Sequence, residues 1–335
     1  MQTFNTNALR NRSYLNSYIN GKYVIVAGIL TALLLTAFSL GYYSSPILAE
    51  DNGWLWRPAT AWIDSTAVSY ALNTLLILGA ALFIMRINNL FGLIREHTYL
   101  PFLFFLLFTC CNPETSTLLN NGSVMNMIFL FALFLMFTTY QQKQSTGTAF
   151  IILFLLTSGS LFCSAYIYYL PFFLYGFHLL RASSLKIYLA ALLGIVTPIW
   201  ILWGCGILPD HFLQNTALPW SEIPDGESKY PLYCIMGATI LLGLFTRIQG
   251  ILHFLDDKIQ TRAYNKFVGM LAIVSAIFII IDHTHSTNYL AILNSCAAFH
   301  AAHFFTNQRS KAAMIFFYII LALYLGLWIW SLLSN

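Results

Sequence analysis

Residues 24–43 read VIVAGILTALLLTAFSLGYY, an uncharged run with Lys22 just ahead of it and Glu50 beyond it. A helix rises about 1.5 Å per residue, so a run of this length covers the roughly 30 Å hydrocarbon core of a bilayer. Residues 312–333, AAMIFFYIILALYLGLWIWSLL, repeat the pattern near the other end of the chain. Between them, apolar runs recur near 67–85, 98–112, 123–140, 148–163, 165–180, 187–205, 231–246, 267–281 and 287–304. The reading is an all-α, polytopic transmembrane helical bundle of about 11 spans. The runs 148–163 and 165–180 are short and nearly contiguous. Taken as a re-entrant pair they leave about nine full crossings, so the expected range is roughly 9–11.

Arg10, Arg12 and Lys22 precede the first run as they would in a secretory signal. Cleavage after Ala49 would, however, put Ile47 where a small side chain is wanted, so the run is kept as the first helix.

Composition agrees. Of the 335 residues, 59% are hydrophobic and 8% are charged, and the mean hydropathy is +0.71. A soluble domain carries about a quarter charged residues, so here the lipid bilayer must serve as solvent for most of the surface. The net charge of +4 is spread singly between apolar runs, which argues against nucleic acid as a partner. The cysteines Cys110, Cys111, Cys163, Cys205, Cys234 and Cys296 lack CxxC spacing and read as small core side chains.

The basic residues report topology. With the N-terminus in the cytoplasm, 14 of the 16 Lys and Arg fall in cytoplasmic segments, and only Arg57 and Lys229 fall outside. The positive-inside rule expects such a split. The acids Glu50, Asp51, Asp64, Glu114, Asp210, Glu222, Asp225, Glu227 and Asp282 face outward, and so do the tryptophans, which suit the headgroup region. The C-terminus is then periplasmic, in a bacterial inner membrane. The chain reads as a single integral membrane domain over 1–335. It comprises a cytoplasmic segment at 1–22, outer loops at 44–66 and 206–230, and a cytoplasmic loop at 247–266.

No Asp, Glu, Lys or Arg falls in the middle of a span, which disfavours ion- or proton-coupled transport, a chemistry that needs titratable groups within the membrane field. Polar chemistry concentrates in the outer loops instead. Loop 44–66, SSPILAEDNGWLWRPATAWIDST, sets Glu50 beside Asp51, followed by Trp54, Arg57 and Asp64. Paired acids would act as a general base or hold a divalent cation, and an arginine would grip a phosphate through two parallel hydrogen bonds. Loop 206–230 offers Asp210, His211, Glu222 and Asp225 between turn-forming prolines. Both loops read equally as solvated surface with aromatic anchors.

A third outer cluster is Asp282-His283-Thr284-His285, with the ligand types of a metal site but no specific spacing. His300 and His303 share a helical face roughly 22 Å away and read as a packed, hydrogen-bonded pair. On the inner side His253, Asp256, Asp257, Lys258 and Arg262 read as an interfacial amphipathic stretch.

Arg86-Ile-Asn-Asn89, the step Leu100-Pro101, and residues 170–200, LPFFLYGFHLLRASSLKIYLAALLGIVTPIW, carry a resemblance. Over roughly 67–205 the chain resembles a domain-of-unknown-function family of multi-pass bacterial inner-membrane proteins. The same stretch is similar in plan to the membrane core of C-type glycosyltransferases. That likeness implies catalysis by Asp51 and Glu50 on an acceptor hydroxyl or a divalent cation. It implies a polyprenyl-phosphate-linked sugar held by Arg57 or His283. Trp54, Asp64, Glu222 and Asp225 are the further substrate-binding candidates of the outer loops. The chain departs from the plan in lacking a clear DxD pair in a second outer loop and a soluble C-terminal domain. Two alternatives remain: a non-catalytic scaffold that docks other envelope membrane proteins, and an uncoupled transporter or flippase of a lipid-linked substrate.

Overall fold

The computed structural model describes residues 23–42, 59–94, 96–206, 230–252, 258–308 and 311–334. Among them there are twelve α-helices and no strand. In chain order they are α1 (Tyr23–Tyr42), α2 (Thr66–Phe91), α3 (Leu100–Cys110), α4 (Pro113–Ser116), α5 (Asn121–Thr138) and α6 (Thr146–Ser160). They continue as α7 (Leu170–Leu179), α8 (Leu185–Gly204), α9 (Tyr230–Leu252), α10 (Ile259–Ile281), α11 (Ser286–Asn307) and α12 (Lys311–Leu333). Short 3₁₀ turns cover Ala59–Ala61 and Ser164–Tyr169. Seven of the helices, α1, α2, α5, α8, α9, α10 and α12, are long and apolar enough to cross a membrane, so the chain is a multi-pass membrane protein.

Among the described residues each apolar run is mostly helix, but three helix ends run past their expected limits. The second run ends at 85 on charge alone, whereas α2 continues through Arg86 and both following asparagines to Gly92. Gly92 then takes the left-handed conformation, φ 61°, that a side chain would resist, and its N–H returns to the Asn88 carbonyl at 2.9 Å. The Asn88 side chain accepts the Ile94 N–H at 3.1 Å and fixes the turn. The expected cytoplasmic loop 247–266 is likewise mostly helix, because α9 runs to Leu252 and α10 starts at Ile259. At α2 the exposed Arg86 side chain reaches water while the backbone keeps its hydrogen bonds, which lets the helix continue into the interface.

The short pair spans the bundle from end to end. α6 starts beside Lys143, and just beyond it Cys163 meets Asn288 at 3.2 Å. The return limb, a six-residue 3₁₀ turn followed by ten residues of α7, rises roughly 27 Å. It ends where the Leu180 carbonyl accepts the Gln141 N–H at 3.1 Å, back at the end where α6 began.

At the centre stands α11, with 19 of its 22 residues buried. It is long and uncharged, yet not apolar enough to be among the seven membrane-crossing candidates. Helices α3, α5, α9 and α10 enclose it. Small residues let them approach: a Cβ on Gly243 of α9 would sit 3.5 Å from that of Ala297, and one on Gly122 of α5 would sit 3.3 Å from the Thr287 carbonyl. Helices α1, α8 and α12 lie at the periphery and expose Leu34, Leu193 and Ile315.

The tightest pair is α6 against α8. A Cβ on Gly194 would meet the Phe150 carbonyl oxygen at 2.5 Å and the Phe154 nitrogen at 3.1 Å, and both obstacles are backbone. Gly194→Ala should therefore push α8 away from α6 and cost about 1–3 kcal/mol. Thermal unfolding in detergent reads this as a lowered Tm, and an unchanged Tm would refute the close approach.

Candidate functional site

A carboxylate cluster is built into the corner between α10 and α11. Asp282 caps α10, its N–H donating to the Phe278 carbonyl at 2.8 Å, and α11 begins four residues later. The residue is 4% exposed and its side chain turns inward. Its Oδ1 accepts the Thr284 hydroxyl at 2.8 Å and the His285 N–H at 3.4 Å. Its Oδ2 accepts the Tyr289 hydroxyl at 2.9 Å and lies 2.9 Å from Nδ1 of His285. Burial alone would raise this carboxyl. The hydrogen bond and charge of His285, with the bonds from Thr284 and Tyr289, outweigh it and hold Asp282 at about 2. In its neutral form His285 would donate from Nδ1 to this carboxylate and carry its accepting lone pair on Nε2.

The corner rests on buried aromatic packing. Tyr289 lies 5.3 Å from Phe278 and 6.2 Å from Tyr169, ring centre to ring centre, and the Tyr169 hydroxyl pairs with Ser275 Oγ at 2.7 Å. One turn into α11, Asn288 donates to Cys163 Sγ at 3.2 Å and its carbonyl accepts the Tyr166 hydroxyl at 3.4 Å. The descending end of the first expected outer loop reaches the same layer. The Ala59 N–H donates to Asn121 Oδ1 at 2.7 Å, and Trp62 meets Phe162 edge-on at 5.5 Å. The end of loop 44–66, the α5 N-terminus, the 162–169 segment and the 282–289 corner thus form one polar layer at one end of the bundle.

Of the residues expected to form a site, Glu50, Asp51, Trp54, Arg57, Glu222 and Asp225 lie outside the described residues. Asp64 is exposed just before Ser65, the N-cap of α2, where a negative charge complements the helix dipole. His283 is half-buried beside Asp282, but the carboxylate bonds His285 instead. Turn geometry explains this: a residue one step on points away, while a residue three steps on comes back alongside. Among the described residues no three His, Cys, Asp or Glu side chains converge as a metal site.

A second polar centre lies toward the other end of α11. The Arg247 side chain lies across Gly269, where a Cβ would overlap the guanidinium, and its Nη1 donates to the Asn265 carbonyl at 3.0 Å. Among the described residues, Arg247 Nε and the buried His300 Nε2 have no hydrogen-bond partner. His303 lies 3.4–3.5 Å from the Asn307 amide. The sequence gives no sign of this centre, because Arg247 reads there as an ordinary cytoplasmic cation.

No family model, curated protein or solved structure matches the chain.

The Asp282 bonds set a pH dependence. A carboxyl held below its unfolded value of 3.8 stabilises the fold at pH above that value, and the contribution is lost as pH falls through about 2. Asp282→Asn should lower stability at pH 7 by roughly 2 kcal/mol. The gap from the parent should narrow as pH falls from about 4 toward 2. Denaturation followed against pH checks this, and a pH-independent gap would count against the ionised clasp.

Proposed function

We propose that this chain is a membrane-embedded, glycosyltransferase-like enzyme. It acts on a polyprenyl-phosphate-linked sugar, or a related envelope glycan, at the outer leaflet of a bacterial inner membrane. In this reading the N-terminus is cytoplasmic, the C-terminus is periplasmic, and about 11 spans cross the bilayer. The observation that carries the reading is the Asp282–His285 pair at 2.9 Å, standing in the layer where the end of the first outer loop arrives.

The chemistry follows from the pair. Asp282 has every bonding direction in use, so it orients and does not abstract protons. His285 Nε2 takes the proton of the acceptor hydroxyl, whose oxygen attacks the anomeric carbon of the donor sugar. The bond from that carbon to the phosphate oxygen breaks, and polyprenyl phosphate leaves with the electron pair. Glu50 and Asp51, in the loop that leads to Ala59, stand as the second acidic contribution, with or without a divalent cation. Arg57 is the phosphate contact. The resemblance of residues 67–205 to a C-type glycosyltransferase core supports the same direction.

A second reading rests on the same carboxylate. Its bonds are all intramolecular, which suits a structural clasp in a non-catalytic subunit of an envelope-assembly or secretion complex.

One assay separates the two. Purified protein is given polyprenyl-phosphate sugar and a glycan acceptor, and transfer is followed with His285→Gln and Asp51→Asn variants of normal abundance. The enzyme reading expects kcat to fall about 10²–10⁴-fold for His285→Gln, with KM little changed. Transfer that survives both substitutions, or that never occurs, selects the subunit reading.

A further inference from the structure

At the end of the bundle opposite Asp282, α7, α10 and the turns at 140–145 and 180–184 enclose a groove of about 840 Å³. Lys143, Arg181, Arg262 and Lys266 line it together with Tyr140 and Tyr175. Four cations from three separate parts of the chain face one space. That volume is of the size that holds small molecules or headgroups rather than a lone ion.

The backbone supports a purpose beyond topology. Among the described residues, the only non-glycine residues with positive φ are Gln141, at 58°, and Arg181, at 57°. Both flank this groove, and the Gln141 N–H donates to the Leu180 carbonyl at 3.1 Å, which couples the two turns. Arg181 occupies the position after the α7 cap that glycine ordinarily takes. Its N–H reaches the His178 carbonyl at 3.1 Å, and the Ala182 N–H reaches the Phe177 carbonyl at 2.9 Å, the pattern of a Schellman closure. A side chain there strains the backbone. A cation would complement the α7 dipole from any neighbouring position, so the dipole does not require arginine at this one. The strained arginine instead brings its guanidinium over the groove that Lys143 enters from the facing turn.

We propose that this groove is a binding site for a phosphate group. Lys143 and Arg181 take the phosphate oxygens, while the tyrosine rings border the apolar or glycerol portion of the ligand. The same chemistry is offered by the headgroup of an anionic phospholipid and by a soluble phosphate, and the site does not depend on the transferase reading.

The full-length protein in detergent is titrated with fluorescent phosphatidylglycerol and, separately, with inorganic pyrophosphate, alone and as a competitor. Lys143→Gln/Arg181→Gln removes two groove cations. Lys186→Gln/Lys311→Gln removes two exposed cations that do not line the groove. Each basic residue at such a surface contributes about fivefold to affinity, so the groove variant should bind at least about tenfold more weakly. The control should change less than about twofold. Lipid binding that pyrophosphate does not displace assigns the site to a headgroup. Pyrophosphate that binds alone with the same dependence on groove cations assigns it to a soluble phosphate. Equal weakening in both variants, or no binding of either probe to the parent, overturns the proposal. Arg181→Gly provides a check free of folding damage: Tm should rise as the strain is released while affinity falls. Undiminished affinity in that variant overturns the role of Arg181 and with it the site.

Discussion

The structure depends on covering one helix. α11 carries Asn288, Asn294, Ser295, His300 and His303 among its buried residues, and lipid cannot satisfy such groups. A helix of this composition persists in a membrane only where protein surrounds it, and four neighbours do so. The ties are distributed along its length: Asn288 to Cys163, Asn294 to the Phe108 carbonyl, and Ser295 to Asn126 at 2.7 Å. Each interhelical bond of this kind contributes only about 0.6 kcal/mol on average in a membrane protein. Their role is to fix register and rotation, while tight packing of alanines and glycines supplies the attraction.

From that constraint the two ends of the bundle acquire different characters. At one end α11 starts in a turn whose carboxylate is closed on itself, so the Asp282 corner is a rigid, satisfied layer. At the other end α7 and α10 carry cations that line one groove. Tyr264 seals the layer above by donating to the Phe137 carbonyl at 3.0 Å and packing on Phe137 at 4.4 Å. The groove forms outside that seal, where basic side chains reach water. The peripheral helices α1, α8 and α12 need no polar ties of that density, because their outward surface is apolar and lipid suffices.

The sequence made the helices legible, because a run of apolar residues in a chain with so few charges has one physical interpretation. Helix limits were less legible: Arg86 and Arg247 look like loop residues, yet each sits within a helix whose backbone bonds continue into the interface. The choice of His285 over His283 was hidden because the adjacent pair of residue names says nothing about which way a turn points. The basic groove was hidden for a different reason. Lys143, Arg181, Arg262 and Lys266 each satisfy the positive-inside rule alone, so no sequence signal remained to say that they share one space. Arg181 did leave a trace, an arginine where a helix end favours glycine, but only the backbone dihedral gives it meaning. The loop acids Glu50 and Asp51, on which the first reading placed catalysis, lie outside the described residues.

The saturated state of Asp282 constrains any enzyme built at that corner. A carboxylate that already accepts from Thr284, His285 and Tyr289 would have to surrender a buried hydrogen bond before taking a substrate proton, leaving a donor unpaired at a cost of about 1–3 kcal/mol. Its low pKa makes it a poor base in any case. The division of labour in the proposed enzyme is therefore set by physics. Asp282 holds the imidazole, Tyr289 anchors Asp282 into the aromatic core, and proton transfer falls to His285. Asp282, closed into its hydrogen bonds, and His285, joined to it through Nδ1, are two groups whose environments differ, the condition under which one takes a proton while the other stays charged.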